Sequence, residues 1–271
     1  MIRFVHVSDI HIHASGDNKE AKELLGHIKE EYFTGEREKV SHLLVTGDII
    51  DDGHDKQLTA AVKLLEGFRK RLLVAPGNHD YGVLGNFYDD SATTRFDAAL
   101  GPLTVGGNLS YATEDNPQVD VITDDGRNRV IAIGLNSCLK TEDPTDFACG
   151  QIEPKQLDGL KAVLAKPEYA NDWKLVYLHH RPLQMSWYER PFLELRDARA
   201  FRALVESRAD VVAFGHSGGN SQELRHTTPV SGQATRGTFF IDANSCVAQK
   251  TYFEVVFEAD RVQVNLRSMK Y

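Results

Sequence analysis

Short apolar runs that each stop at a polar residue constrain this chain more than any other feature. "RFVHVS" at the N-terminus, "HLLVTG" (42–47) and "RLLVAPG" (71–77) are too short for stable helices and rich in Val, Leu and Phe. They are closed by Ser, Gly or Pro, as buried strands are. Between them, 21–32 and 56–70 repeat apolar residues at helical spacing, the second through Leu58, Ala61, Val62, Leu65 and Phe68. A βαβαβ order with short connections implies right-handed crossovers and a mostly parallel sheet with helices on its faces. The second half is richer in strands: 129–135, 173–180, 210–216, 238–243, and a final pair, "TYFEVVFE" and "RVQVNLR", whose alternation suits an antiparallel hairpin. Helices are expected over 154–165, with Pro154 in the opening turn, and over 196–207. The Gly-, Asn- and Asp-rich stretches near 82–90, 106–108 and 124–128 read as surface loops within a single domain spanning 1–271.

Charge narrows the partners. With 31 Lys and Arg against 39 Asp and Glu, the formal net charge is -8, and a long nucleic acid is not an expected partner, because phosphate neutralisation requires a basic face. A small anionic substrate remains compatible if bound cations invert the local field. No run of apolar residues is long enough to span a bilayer, and the N-terminus lacks the pattern of an export signal, so a cytoplasmic location is expected. The three cysteines, Cys138, Cys149 and Cys246, form no C-x-x-C pair and read as reduced structural thiols.

The strand ends carry the chemistry. "SDIHIH" places Asp9 and His11 two apart with His13 just beyond. "TGDIIDDG" supplies Asp48, "PGNHD" supplies Asn78, His79 and Asp80, "LHH" supplies His179 and His180, and "VVAFGHSGGN" supplies His216. Loops at the carboxyl ends of strands in an open α/β sheet line its ligand crevice, so residues distant in sequence can converge there. Carboxylate oxygen, amide oxygen and imidazole nitrogen together suit Mn, Fe, Zn or Co, and no thiolate joins the set. Each stretch alone also reads as ordinary turn chemistry. Five in order, each at a strand end, do not.

In that order the stretches resemble the calcineurin-like metallophosphoesterase superfamily, whose pattern is D-x-H, GD, GNH followed by Asp or Glu, a strand-end His, and GHxH. "FACGQIEPKQLDGLKAVL" (147–164) is similar to the stretch such enzymes place before the fourth motif. The resemblance implies a four-layer α/β/β/α sandwich of two mixed sheets flanked by helices, with a dinuclear centre of two divalent metal ions bridged by Asp48. It places Asp9 and His11 on one metal and Asn78, His179 and His216 on the other. It also implies that His79 is the catalytic histidine, acting on the departing oxygen while water attacks in line; Asp80 beside it is expected to hold the imidazole by a hydrogen bond. His13, His180 and Asn220 are candidate substrate contacts, with the metal centre the alternative for His13 and strand packing the alternative for His180. "QMSWYERPFLELRD" (184–197) either covers the site or is a loop anchored by buried aromatics.

The pattern breaks where GHxH would carry its second histidine, which here is Gly218. That leaves the Asp9 and His11 metal short of one protein ligand and weaker, with water, Asn220 or His226 as candidates for the position. The motif order is most similar to the cyclic-nucleotide and glycerophosphodiester phosphodiesterases, so the expected substrate is a small phosphodiester. "GDIIDDG" lacks the arginine of the protein-phosphatase branch. A phosphomonoesterase acting on a small metabolite, and a non-catalytic metal-binding scaffold, are the alternatives.

Overall fold

Period-two alternation inside each strand sends neighbouring residues into different cores, and this sets the layering. The computed structural model describes residues 1–269 apart from 15–17, 84, 112–115, 125–127, 141–147, 186, 207, 217–222, 228–236 and 245. The first half runs β1 (Ile2–Val7), α1 (Lys19–Tyr32), α2 (Gly35–Glu38), β2 (Ser41–Thr46), α3 (Asp55–Leu65), β3 (Leu72–Ala75), α4 (Asn78–Tyr81), the small ribbon β4 (Gly82–Val83) and β5 (Phe87–Tyr88), and α5 (Asp90–Leu100). The second half runs β6 (Gln118–Asp124), β7 (Asn128–Gly134), α6 (Pro154–Leu164), β8 (Trp173–Tyr177), α7 (Arg190–Leu193), α8 (Ala198–Val205), β9 (Val211–Phe214), β10 (Glu223–His226), β11 (Phe239–Asp242), α9 (Cys246–Gln249), β12 (Thr251–Phe257) and β13 (Val262–Ser268).

One sheet has the order β13-β12-β1-β2-β3 and the other β10-β11-β9-β8-β7-β6. β1, β2 and β3 are parallel, as are β7, β8, β9 and β11. β12 and β13 form the expected antiparallel hairpin at one edge. In β1, Phe4 joins the core between the sheets, while Val5 and Val7 pack with α1 and α3 on the outer side. In β9, Val211 and Ala213 face inward, while Val212 and Phe214 join α6 and α8 on the far side. The result is the four-layer α/β/β/α sandwich. Strands buried on both faces must be apolar throughout, which is why their runs are continuous.

The inner core is aromatic at one end, where Phe4 meets Phe257 edge-on at 5.7 Å and Phe257 meets Trp173 of the opposite sheet at 6.0 Å. Trp173 Nε1 also donates to Glu258 O at 2.8 Å, tying β8 to the end of β12.

Among the elements beyond the sequence reading are α5, β6, β10 and the β4–β5 ribbon, which lies in the stretch 82–90 expected as a loop. α5 is capped by Asp89, which accepts from Ser91 N at 2.8 Å, and it buries Ala92, Phe96 and Leu100 at four-residue spacing. β6 pairs with β7 as a half-buried edge, and β10 adds an antiparallel edge with mostly exposed side chains. The stretch expected as helix over 56–70 stops at Leu65, tightens into a 3₁₀ turn over Glu66–Phe68, and reverses at Lys70 with a left-handed φ of 63°. None of the helices in the described residues is long and apolar enough to cross a membrane.

Truncating Phe4 to Ala removes a fully buried ring between the sheets and is expected to lower unfolding free energy by about 3–5 kcal/mol, read from urea melts. A second expectation concerns His42 at the head of β2, whose imidazole is pushed down to about 4 by burial and then by the charge of Arg71. Between an unfolded value of about 6.5 and that folded value, the unfolded chain binds the proton and the native chain does not, so stability falls as pH falls. Urea melts at pH 7 and pH 5 are expected to differ by about 2 kcal/mol less in His42→Gln than in the parent.

Candidate metal centre

Strand ends from both sheets meet along one edge of the sandwich. The first two loops are zipped together: Asp9 N donates to Gly47 O at 3.1 Å, His11 N to Asp48 O at 2.9 Å, and Ile12 N to Ile49 O at 2.8 Å. In the other sheet, Gly215 N donates to His179 O at 2.9 Å. Asp9, His11, Asp48 and His216 all adopt left-handed backbone, with φ of 55°, 49°, 50° and 62°. For non-glycine residues each such turn costs on the order of 1 kcal/mol or more, strain that clusters at functional sites. Two glycines make the crowding possible. A Cβ on Gly47, itself at φ 86°, would stand 2.5 Å from His179 Nδ1, and one on Gly215 would stand 2.5 Å from Asp9 Oδ2.

One ligand set is defined by hydrogen bonds that turn lone pairs inward. His179 Nδ1 lies 2.8 Å from Thr46 O, so Nδ1 carries the donated proton and Nε2 faces the site. His216 Nε2 lies 2.8 Å from Ala148 O, leaving Nδ1 inward. Asn78 Nδ2 donates to Gly85 O at 3.1 Å, which turns Oδ1 inward. Around His179 Nε2 then gather His216 Nδ1 at 2.9 Å, Asn78 Oδ1 at 3.1 Å and Asp48 Oδ2 at 3.3 Å. Four acceptor atoms converge with their own donors already committed elsewhere, an arrangement that repels itself unless a cation sits among them. Two imidazole nitrogens, an amide oxygen and a carboxylate oxygen fit a borderline divalent metal.

The second set shares Asp48. Asp9, His11 and Asp48 offer ligand atoms all within 4.8 Å of one another, with His11 Nε2 3.9 Å from Asp48 Oδ2. Asp9 Oδ2 also accepts from His216 N at 3.3 Å, linking the two sets. Beside them lies Asp51, which the sequence reading did not single out. Its carboxylate is 3.2 Å from His11 Nδ1 and 3.4 Å from His13 Nδ1, and its carbonyl is 2.8 Å from His79 Nδ1. The available signal was the second carboxylate in "GDIIDD", three residues after Asp48 in the same strand-end loop.

Burial works to raise the Asp48 carboxyl, but the charge and hydrogen bond of His179 prevail and hold it well below the usual carboxylate range. Burial works to lower His179, and the Asp48 and Asp9 carboxylates overcome it, raising the imidazole to about 9. His216 moves the other way, down to about 3, through burial and then the neighbouring His179 charge. The carboxylates that raise His179 favour positive charge at this place, and a divalent ion binding there would release any proton from the imidazole.

The structure brings Asp9, His11, Asp48, Asn78, His79, His179 and His216 to one place, with His79 Nδ1 anchored and its ring edge-on to His11 at 4.9 Å. Two expectations are corrected. Asp80 does not hold His79: its Oδ1 accepts from Ile49 N and Ile50 N, both at 3.0 Å, and its Oδ2 from Gly77 N at 2.8 Å, bracing the Asp48 loop against the Asn78 turn. The Asp51 carbonyl holds His79 instead. His180 is fully buried rather than open to substrate, with Nδ1 2.9 Å from Ser137 Oγ and its ring 4.3 Å from that of His216. His13 does stand at the mouth, about half exposed. Gly218 and Asn220 lie outside the described residues. His226 is an exposed residue of β10 stacked on Phe239. Trp187 and Tyr188 are exposed, at 85% and 61%, so neither of these two aromatics anchors their loop.

The centre floors a cavity of about 860 Å³ that reaches His13, Asn18, Leu193, Asn244 and Lys250. The family model for calcineurin-like phosphoesterases matches residues 2–219. No curated protein sequence matches the chain significantly. Among solved structures, a dimetal phosphatase from Danio rerio is similar at TM-score 0.63 and 15% identity, covering 98% of this chain and 96% of that one. The protein TT1561 of Thermus thermophilus is similar at TM-score 0.54 and 10% identity, covering 97% and 98%. The sulfate thiohydrolase SoxB of Thermus thermophilus, solved with glycerol, is similar at TM-score 0.54 and 11% identity, covering 98% of this chain and 56% of that one. At these identities the likeness is one of fold.

Gly47→Ala adds a methyl group where the His179 ring and the Gly77 backbone already stand, 2.5 and 2.8 Å from the new atom. Mn²⁺ titration by calorimetry is expected to show at least one of the two binding events lost. Unchanged stoichiometry and affinity would contradict this packing.

Proposed function

Because this chain belongs to the calcineurin-like phosphoesterase family, and so is a metal-dependent hydrolase of phosphoric esters, we propose that its substrate is a small phosphodiester, cyclic-nucleotide-like or glycerophosphodiester-like, cleaved by water without a covalent intermediate. In this reading Asp9, His11 and Asp48 hold one divalent cation, and Asp48, Asn78, His179 and His216 hold the other. Such a pair supplies positive charge on both sides of a phosphoryl group and a water of lowered pKa.

The observation that carries the diester reading is the poverty of fixed positive charge in the cavity. Among its described lining residues there is no arginine, and the one lysine, Lys250, has its Nζ 3.0 Å from Glu23. A phosphomonoester brings up to two negative charges near neutral pH, whereas a diester brings one and asks less of the walls. The cavity volume also leaves room for substituents on both ester oxygens.

His79 is assigned to the leaving group. Anchoring Nδ1 on the Asp51 carbonyl leaves Nε2 to deliver a proton to the departing oxygen, and the Asp51 carboxylate stands 3.9 Å from Nδ1. The same carboxylate stands 3.2 Å from His11 Nδ1, so Asp51 lies beside a metal-holding and a proton-handling histidine together.

Metal-free protein titrated with Mn, Zn, Fe, Co or Mg is expected to hydrolyse bis(4-nitrophenyl) phosphate faster than 4-nitrophenyl phosphate with at least one metal. Preference for the monoester would overturn the substrate assignment, and no turnover with any metal would leave a metal-binding scaffold. His79→Ala is expected to lower kcat by about 10²–10⁴-fold with metal stoichiometry intact. Loss of a metal would make His79 a ligand instead.

A further inference from the structure

The segment from Arg181 to Arg202 contains five arginines, no lysine and three acidic residues, in a protein whose net charge is -8. All five, Arg181, Arg190, Arg196, Arg199 and Arg202, line one cavity of about 250 Å³, where Glu194 is the single acidic residue among the described lining. This cavity shares no described lining residue with the metal cavity. The two are separated by a thin wall: Leu193 faces the metal side, Glu194 the arginine side, and Glu194 O accepts from Gly150 N at 2.9 Å. Gly150 in turn presses on the His180 ring, where an added Cβ would stand at 2.3 Å.

The arginines are unevenly neutralised. Arg181 is held by Asp242 and Glu223, and Arg190 Nε pairs with Glu194 at 3.0 Å in a largely exposed bridge of little strength. Arg202 reaches Glu206 only at 4.0 Å, and its Nε is buried without a hydrogen-bond partner among the described residues. Arg199, three residues earlier on the first turn of α8, makes no ion pair among the described residues. A buried guanidinium donor without an acceptor is costly unless a ligand supplies one. The forked, planar donors of Arg199, on the first turn of α8, and Arg202, one turn further on, match the oxygens of a phosphate group better than lysines would.

The geometry points to a second ligand site, separate from the metal centre, that binds a multiply charged phosphate or pyrophosphate oxyanion through Arg199 and Arg202. The same chemistry would take a free anion or the remote phosphate of a bound substrate. Pyrophosphate titrated calorimetrically into the full chain in EDTA, which removes metal-borne binding, is expected to bind one to one and more weakly as salt rises. Arg199→Ala/Arg202→Ala is expected to weaken that binding about tenfold or more, and Arg199→Lys/Arg202→Lys, which keeps charge but not the fork, to restore it only in part. No saturable binding, or equal binding by the folded double-alanine variant, overturns the site. In the metal-loaded enzyme, a raised KM for a diester bearing a second phosphate, with bis(4-nitrophenyl) phosphate unaffected, assigns the site to the substrate; unchanged KM for both assigns it to the free anion. The calorimetric readout requires no turnover, so it stands apart from the proposed reaction.

Discussion

Asp48 follows β2 in one sheet, His179 follows β8 in the other, and their ligand atoms stand 3.3 Å apart. No local interaction sets that distance. It follows from how closely the two sheets pack, through the inner layer that includes Phe4, Ala75, Tyr177, Ala213 and Phe257. Small residues at the strand ends, Ala75 and Ala213 among them, let the two edges approach, and Gly47 and Gly215 let backbone and ring occupy the remaining space. Protein interiors packed this densely transmit changes of volume, so the core and the site are one mechanical object.

What converges at this edge is acceptor atoms, and that sets folding against function. Thr46, Ala148 and Gly85 carbonyls take the outward hydrogens of His179, His216 and Asn78, so the side-chain atoms these three turn inward are acceptors and favour positive charge among them. The surroundings of the carboxylates follow the same logic. Asp80, fully buried, is pushed up to about 7 by burial and then by the charge of Asp48, despite three backbone donors. A cation beside Asp48 would reverse that last influence. The site is costly to assemble empty and favourable to assemble filled.

Much of the architecture was legible because burial on two faces leaves a plain signature. Continuous apolar runs marked β1, β2, β3, β7, β8 and β9, and alternation marked the β12–β13 hairpin. β6 and β10 escaped notice because edge strands keep one side or most of their side chains in water, and α5 because Asp90 to Leu100 includes Ser, Thr and Asp among its few apolar positions. At the site, residue types at strand ends identified seven converging side chains. Asp51 was hidden in a run of carboxylates where only the loop path distinguishes it from Asp52. Asp80 and His180 adjoin functional residues in sequence, yet each points away to brace the structure from behind.

The chain by itself determined the kinds of atoms available and the order in which strands deliver them, because period and residue chemistry are local properties. Only the tertiary structure decided which of two adjacent residues faces the cavity and which supports it, as with His179 against His180, or His79 against Asp80. That choice depends on left-handed turns at Asp9, His11, Asp48 and His216 and on carbonyls contributed from elsewhere in the fold. Those partners lie up to 133 residues away, at Thr46 for His179, a separation over which sequence spacing carries no geometric information.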